Sequence, residues 1–122
     1  MIFSESLKKD HDFKLVYRKG KSIADKSIIL YSLRNGTDRN RLGISASKRV
    51  GNSVVRHHFA RLIREAYRLH EDMFIRGVDI VIVARNAAAE ASYHDIEASL
   101  LRLANRAHLT QRIQAHGTEA VQ

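Results

Sequence analysis

Apolar side chains recur along this chain with two periods, and the switches between them outline a fold. Leu7, Phe13, Val16 and Tyr17 fall near helical spacing and predict a short helix over 7–19 that stops at Gly20. "KSIA" at 21–24 reads as a short edge strand and "SIILYSL" at 27–33 as a longer one. Asn35-Gly36 is a turn signal, and "RLGISAS" at 41–47 reads as a strand returning from that turn. Residues 52–69 carry the longest helical pattern, with Asn52 or Ser53 as N-cap and Gly51 allowing a tight turn before it. "VDIVIVA" at 78–84 is almost continuously apolar, as a strand buried on both faces should be. A last helix is predicted over 93–108. Ser92 and Asp95 form its capping-box-like start, and Tyr93, Ile96, Leu100, Leu103 and Ala107 its buried stripe. The tail over 109–122 is polar and expected to fray.

The resulting order, αβββαβα, predicts an α+β fold. We expect a two-layer α/β sandwich, with helices packed on a small central sheet of about four strands. The strand–helix–strand unit over 41–84 implies a parallel pairing, for which the default crossover is right-handed. A chain of 122 residues holds one core, expected as a single domain over 1–108.

Charge changes the picture more than composition does. Apolar residues make up 44% of the chain, which marks it as globular. Cysteine is absent, so disulfides and thiolate metal sites are excluded, and a cytoplasmic setting is expected. No apolar run approaches the ~18 residues of a membrane span, and "MIFSESLKKDHDF" turns charged too soon for a signal peptide. The net charge is +8, and it is unevenly spread. Residues 1–70 hold 16 Lys+Arg against 6 Asp+Glu, whereas residues 71–122 hold 5 against 7. A basic surface confined to the first part of the chain calls for a polyanionic partner, nucleic acid before membrane.

The long helix concentrates that charge. At about 100° per residue, Val55, Phe59, Leu62, Ile63 and Ala66 share one side. Arg56, His57, Arg61, Arg64 and Arg68 occupy an opposing arc, with Glu65 at its edge. A solvated helix face usually mixes signs, because opposite charges at i,i+4 stabilise it and like charges repel. This arc is nearly unmixed, and it is built from arginine, which binds phosphate through paired N–H groups. The helix N-terminus adds free N–H donors beside Lys48 and Arg49. A phosphate-backbone contact accounts for these features better than a solvated face does. On the first helix, Phe13 and Tyr17 lie one turn apart among Lys14, Arg18, Lys19 and Lys21, and Tyr31 lies on a strand. Such rings are commonly core, but they also suit a groove in which bases stack while cations hold phosphates. His57-His58 has no metal-ligand spacing, since adjacent helical residues diverge, and no P-loop or Ser-His-Asp pattern is present.

"RLGISASKRVGNSVVRHHFARLIREAYR" resembles the signature region of the bacterial ribonuclease P protein component, in which a strand ending S-x-S-K-[KR] leads into [VI]-G-N and a basic helix. "LKKDHDFKLVYRKGKS" and "DIVIVARNAA" are similar to its first and late segments, so the likeness covers nearly all of 7–108. Where the family pattern reads Arg-Asn-Arg, this chain reads Arg56-His57-His58, and the following lysine is Ala60. The imidazoles would regain charge below a reference pKa of about 6.5, making the contact pH-responsive.

The resemblance implies a small subunit that assists a catalytic RNA in removing the 5′ leader from precursor tRNA. The RNA carries the active site and its magnesium ions, and the protein supplies no catalytic residue and no metal site. Its partners would be that RNA and leader-bearing precursor tRNA, with no membrane and no obligate protein partner. By position, contact with the catalytic RNA falls on Lys48, Arg49, Asn52, Arg56, His57, Arg61, Arg64 and Arg68. The leader cleft falls on Phe13, Tyr17, Arg18 and Tyr31. The resemblance also implies a left-handed βαβ crossover, against the default. A ribosomal-type structural RNA-binding protein and a metal-dependent nuclease are the alternatives.

Overall fold

In the computed structural model, residues 1–111 are described. They form five strands: β1 (Ser4–Ser6), β2 (Lys21–Ala24), β3 (Ile28–Arg34), β4 (Asn40–Ser45) and β5 (Val78–Ala84). The helices are α1 (Asp10–Lys19), α2 (Ser53–His70) and α3 (Tyr93–Arg106). One mixed sheet runs in the order β1-β4-β5-β3-β2.

The apolar run of β5 explains its central place: six of its seven residues are buried, so both faces must be covered. On one side β4 pairs with it in parallel, as the strand–helix–strand unit required. On the other side β3 pairs with it antiparallel. Strands β3 and β4 are therefore not hairpin partners, contrary to the reading of Asn35-Gly36 as a return turn. The turn residue is real, with Gly36 at φ +75°, but β5 lies between the two strands. An isolated turn signal carries no information about a strand inserted later in the chain.

Alternate residues of the strands divide two cores. Ile28, Leu30, Leu42, Ile80 and Ile82 meet Phe59, Ile63, Ala66 and Tyr67 of α2 and Ile96, Leu100 and Leu103 of α3. Leu7, Val16 and Val81 form a smaller cluster on the other face, joined by Phe13, Tyr31, Leu33 and Val83. Each large side chain fully buried here contributes about 1.5–3 kcal/mol. α2 and α3 thus cover one face of the sheet, and α1 lies on part of the other.

Several boundaries differ from the pattern-based reading, among them the end of α3, at Arg106 rather than 108. The sheet has five strands rather than four, because Ser4–Ser6 pairs in parallel with Asn40–Leu42. Ser-Glu-Ser has no apolar alternation, so its pairing was invisible. It is fixed from afar by the buried Glu71 carboxylate, which accepts N–H bonds from Ile2 (2.6 Å) and Phe3 (3.0 Å). Helix α1 begins at Asp10, since Leu7 is extended and its N–H bonds Leu42 O at 2.9 Å. At the other end, Leu109 and Thr110 are buried, and Thr110 bridges to Phe74, so the chain stays packed through the start of the expected tail. The rest of that tail, 112–122, lies outside the described residues.

Candidate nucleic-acid interface

The start of α2 is built by its own side chains. Asn52 caps it, with Oδ1 accepting the Val55 N–H at 3.1 Å. Arg56 Nε donates to Gly51 O at 3.2 Å, which folds the half-buried guanidinium back onto the turn. No acidic residue occupies the first turn, so the positive end of the helix dipole is not offset. Lys48, Arg49, His57, Arg61 and Arg64 are exposed, and among the described residues none of them makes an ion pair.

Arg68 differs. Its guanidinium holds Glu65 through two hydrogen bonds of 3.2 and 2.7 Å, and Glu65 is held below the ordinary carboxylate range by that bonding. The basic arc is therefore unpaired over its first three turns and self-neutralised at its end. Glu65 lies at the edge of the arc by helical angle, but a long arginine side chain reaches across it. Val54, His57, His58 and Arg61 line a shallow cavity of about 340 Å³ near the helix start.

On the opposite face of the sheet, three rings form a row. Phe13 and Tyr17 have centroids 6.3 Å apart, and Tyr17 meets Tyr31 edge-on at 4.9 Å. Phe13 and Tyr31 are half-buried, Tyr17 is 39% exposed, and Arg18 is exposed beside it. The row is neither core nor fully solvated: Phe13 and Tyr31 pack against the smaller core cluster, and Tyr17 is the most exposed of the three. Phe13 seats directly over Gly43, where an added Cβ would lie 2.7 Å from its ring.

A polar network that the sequence pattern did not reveal holds α1 over the sheet. Arg41 on β4 donates to both oxygens of buried Asp79, at 2.9 and 2.6 Å. Its Nη1 also reaches Asp12 on α1 at 3.2 Å. Asn35 Nδ2 donates to Asp79 Oδ1 at 2.9 Å. Asp79 hydrogen-bonding and charge keep the Arg41 pKa above its ordinary value, against the effect of burial. The only sequence hint was a charged residue, Asp79, within an otherwise apolar strand. Among the described residues, no group of three or more His, Asp or Glu side chains is arranged to hold a metal ion.

This combination of a βαβ unit with a capped basic helix and an aromatic row beside it can be matched to known proteins. The family model described as Ribonuclease P matches residues 2–108. The chain belongs to the ribonuclease P protein family. The ribonuclease P protein component of Lachnoclostridium phytofermentans is 52% identical over 101 residues, covering 83% of this chain and 87% of that protein. That of Clostridioides difficile is 44% identical over 108 residues, covering 88% and 95%. The solved ribonuclease P protein of Staphylococcus aureus superposes with a TM-score of 0.81 at 34% identity, over 89% of this chain and 98% of that one. The Thermotoga maritima protein gives 0.77 at 28% identity, over 83% and 96%. The α+β architecture of a mixed sheet with three packed helices is thus the ribonuclease P protein fold, and the chain is a subunit of that RNA-based endoribonuclease.

Proposed function

We propose that this subunit grips two RNAs with two faces of one domain spanning 1–108. The turn and first three turns of α2 meet the catalytic RNA, through Lys48, Arg49, Asn52, Arg56, His57, Arg61 and Arg64, with Arg68 joining once it leaves Glu65. The cleft between α1 and the sheet takes the single-stranded 5′ leader of precursor tRNA on Phe13, Tyr17 and Tyr31, with Arg18 at the phosphates. The observation that carries this reading is the partly exposed aromatic row on the sheet face opposite a helix whose cations ahead of Arg68 make no ion pair. Rings with one face free can stack bases of any sequence, while unpaired cations gain most from phosphate.

The protein's role is then electrostatic and positional. It lowers phosphate repulsion within the complex and holds the leader, while the bond is cut by the RNA with its own magnesium ions. Among the described residues no helix is long and apolar enough to cross a membrane. Reconstitution tests the reading. Purified protein alone should leave precursor tRNA intact, and added to a bacterial catalytic RNA it should reduce the magnesium needed for half-maximal cleavage. Cleavage by the protein without RNA would overturn it.

A further inference from the structure

Some cations of this protein are engaged: Lys14, Arg39, Arg41, Arg68 and Arg102 each contact a carboxylate. A second group is not. Lys19 and Lys21 at the α1–β2 junction, Arg34 at the end of β3, and Arg106 and His108 at the end of α3 are all exposed. Among the described residues none of these five side chains makes an ion pair or a hydrogen bond to protein.

They surround two adjoining cavities of about 370 and 230 Å³ that share Lys21, Ser32, Ala107 and His108. No carboxylate lines either one. The floor is apolar, with Leu33, Ile75 and Val78 in the larger cavity. His108 has a left-handed backbone, φ 62°, at the position after the α3 cap. Its N–H bonds Asn105 O at 3.1 Å, and the Leu109 N–H bonds Ala104 O at 2.9 Å. That cap geometry favours glycine, yet here it carries an imidazole into both cavities.

Register places this groove relative to the aromatic row. Tyr31 and Gly43 both lie opposite Val81, in the middle of β5. Ser45 lies opposite Val83 at one end of the sheet, and the chain continues from it to Lys48 and Arg49. Arg34 lies opposite Val78 at the other end. Lys21 pairs with Ser32, the neighbour of Tyr31, so both side chains lie on the α3 face while the ring lies on the α1 face. Along the strand direction the cations at the start of α2, the row of rings and the second basic groove follow one another. Lys19 at the end of α1 lines the larger cavity together with His108, so the groove meets the α1 face at that end of the sheet.

We propose that this groove binds the phosphodiester backbone of the upstream part of the 5′ leader, which passes the end of α1 at Lys19 and turns round that end of the sheet onto the α3 face. Lys19, Lys21, Arg34 and Arg106 supply charge, the imidazole of His108 and the hydroxyl of Ser32 supply hydrogen bonds, and the apolar floor accepts sugar and base edges. The proposal rests on the leader-cleft reading, and it adds that this chain reads leader length beyond the rings.

The test uses the holoenzyme, with precursors carrying leaders of about 4 and about 16 nucleotides, the span of sizes found for single-strand grooves. Wild-type protein should bind the longer leader about tenfold more tightly at moderate salt. Combined Lys21→Ala, Arg34→Ala and His108→Gly should abolish most of that advantage and leave the short-leader precursor unaffected. His108→Gly relieves the left-handed backbone, so a melt of the variant should not be lower than wild type. Equal wild-type affinity for both leaders overturns the proposal. So does a loss that extends to leaderless tRNA or to the catalytic RNA alone, which would assign the groove to a different contact. Phe13→Ala separates the two readings. If it weakens both leader lengths while the triple variant changes neither, the cleft stands and the groove does not.

Discussion

Gly43 shows how much one missing Cβ can decide. The ring of Phe13 occupies the space a side chain would take, with Cζ 2.7 Å and Cε1 2.8 Å from the added atom. Gly43→Ala should tilt Phe13 off the sheet, cost about 1–2 kcal/mol in stability, and weaken leader-bearing precursor more than mature tRNA. Denaturant titration and paired binding assays read both effects, and equal losses for the two tRNAs would mean the ring serves packing alone. The arginines of α2 are similarly individual. Arg64 has no ion pair, whereas Arg68 must first release Glu65. Arg64→Ala should therefore weaken the catalytic RNA complex more than Arg68→Ala does, and should lower its salt slope by about one. A larger loss at Arg68 would contradict the unpaired-cation argument. His57 and His58 are both exposed near the helix start. A variant lacking both imidazoles should bind the catalytic RNA more weakly if they hydrogen-bond its backbone, and unchanged affinity would dismiss that role.

At the scale of elements, the helices were legible and the sheet was only partly so. The apolar stripe of α2, its Asn52 cap and the Ser92–Asp95 capping box of α3 all depend on residues within a turn of each other. Such local signals survive in a one-dimensional pattern. β1 had no such signal, and the separation of β3 from β4 depended on β5, far along the chain. The attachment of α1 was equally hidden, because Arg41, Asp12 and Asp79 are unremarkable until the fold brings them together. Removing the cation would leave Asp79 buried beside Asp12 without its main partner. Arg41→Met should cost about 2–3 kcal/mol, less than for a fully buried pair because the guanidinium is partly solvated. If Arg41 also positions α1, leader-dependent affinity should fall more than affinity for mature tRNA in the fraction that remains folded. A double Arg41→Met, Asp79→Asn variant should recover stability without recovering that affinity.

For the whole molecule, charge governs both binding and stability. If about six phosphates are neutralised by the α2 face, log K for the catalytic RNA should fall with log salt at a slope of roughly −4 to −5. A near-flat titration would remove the backbone-contact account. Stability should depend on pH through carboxylates that tie distant segments. Burial pushes Glu71 up, but the Ser4 hydroxyl and the amides of Ile2 and Phe3 bring it net below its ordinary value. Asp25 is also lowered: burial opposes, and bonds from Ser99, the Ile28 and Ser27 amides and Arg102 outweigh it. Groups depressed in this way stabilise the fold above their unfolded values, about 3.9–4.3, and the contribution disappears as pH falls through the lower folded values. Glu71→Gln should thus lower stability at pH 7, with the difference from wild type narrowing toward pH 3. A constant difference in urea titrations would indicate lost packing rather than lost charge.

By itself the sequence determined the helices, the buried central strand, the one-sided charge of α2 and, through its signature residues, the family. The first three follow from periodicity and spacing, which are properties of near neighbours, and the family from the resemblance of its signature segment to a known pattern. Only the tertiary structure decided the strand order, the docking of β1 on Glu71, the half-open state of the three rings, and which cations are already paired. Those depend on contacts between residues far apart in the chain, where reach and burial, rather than pattern, select the partner.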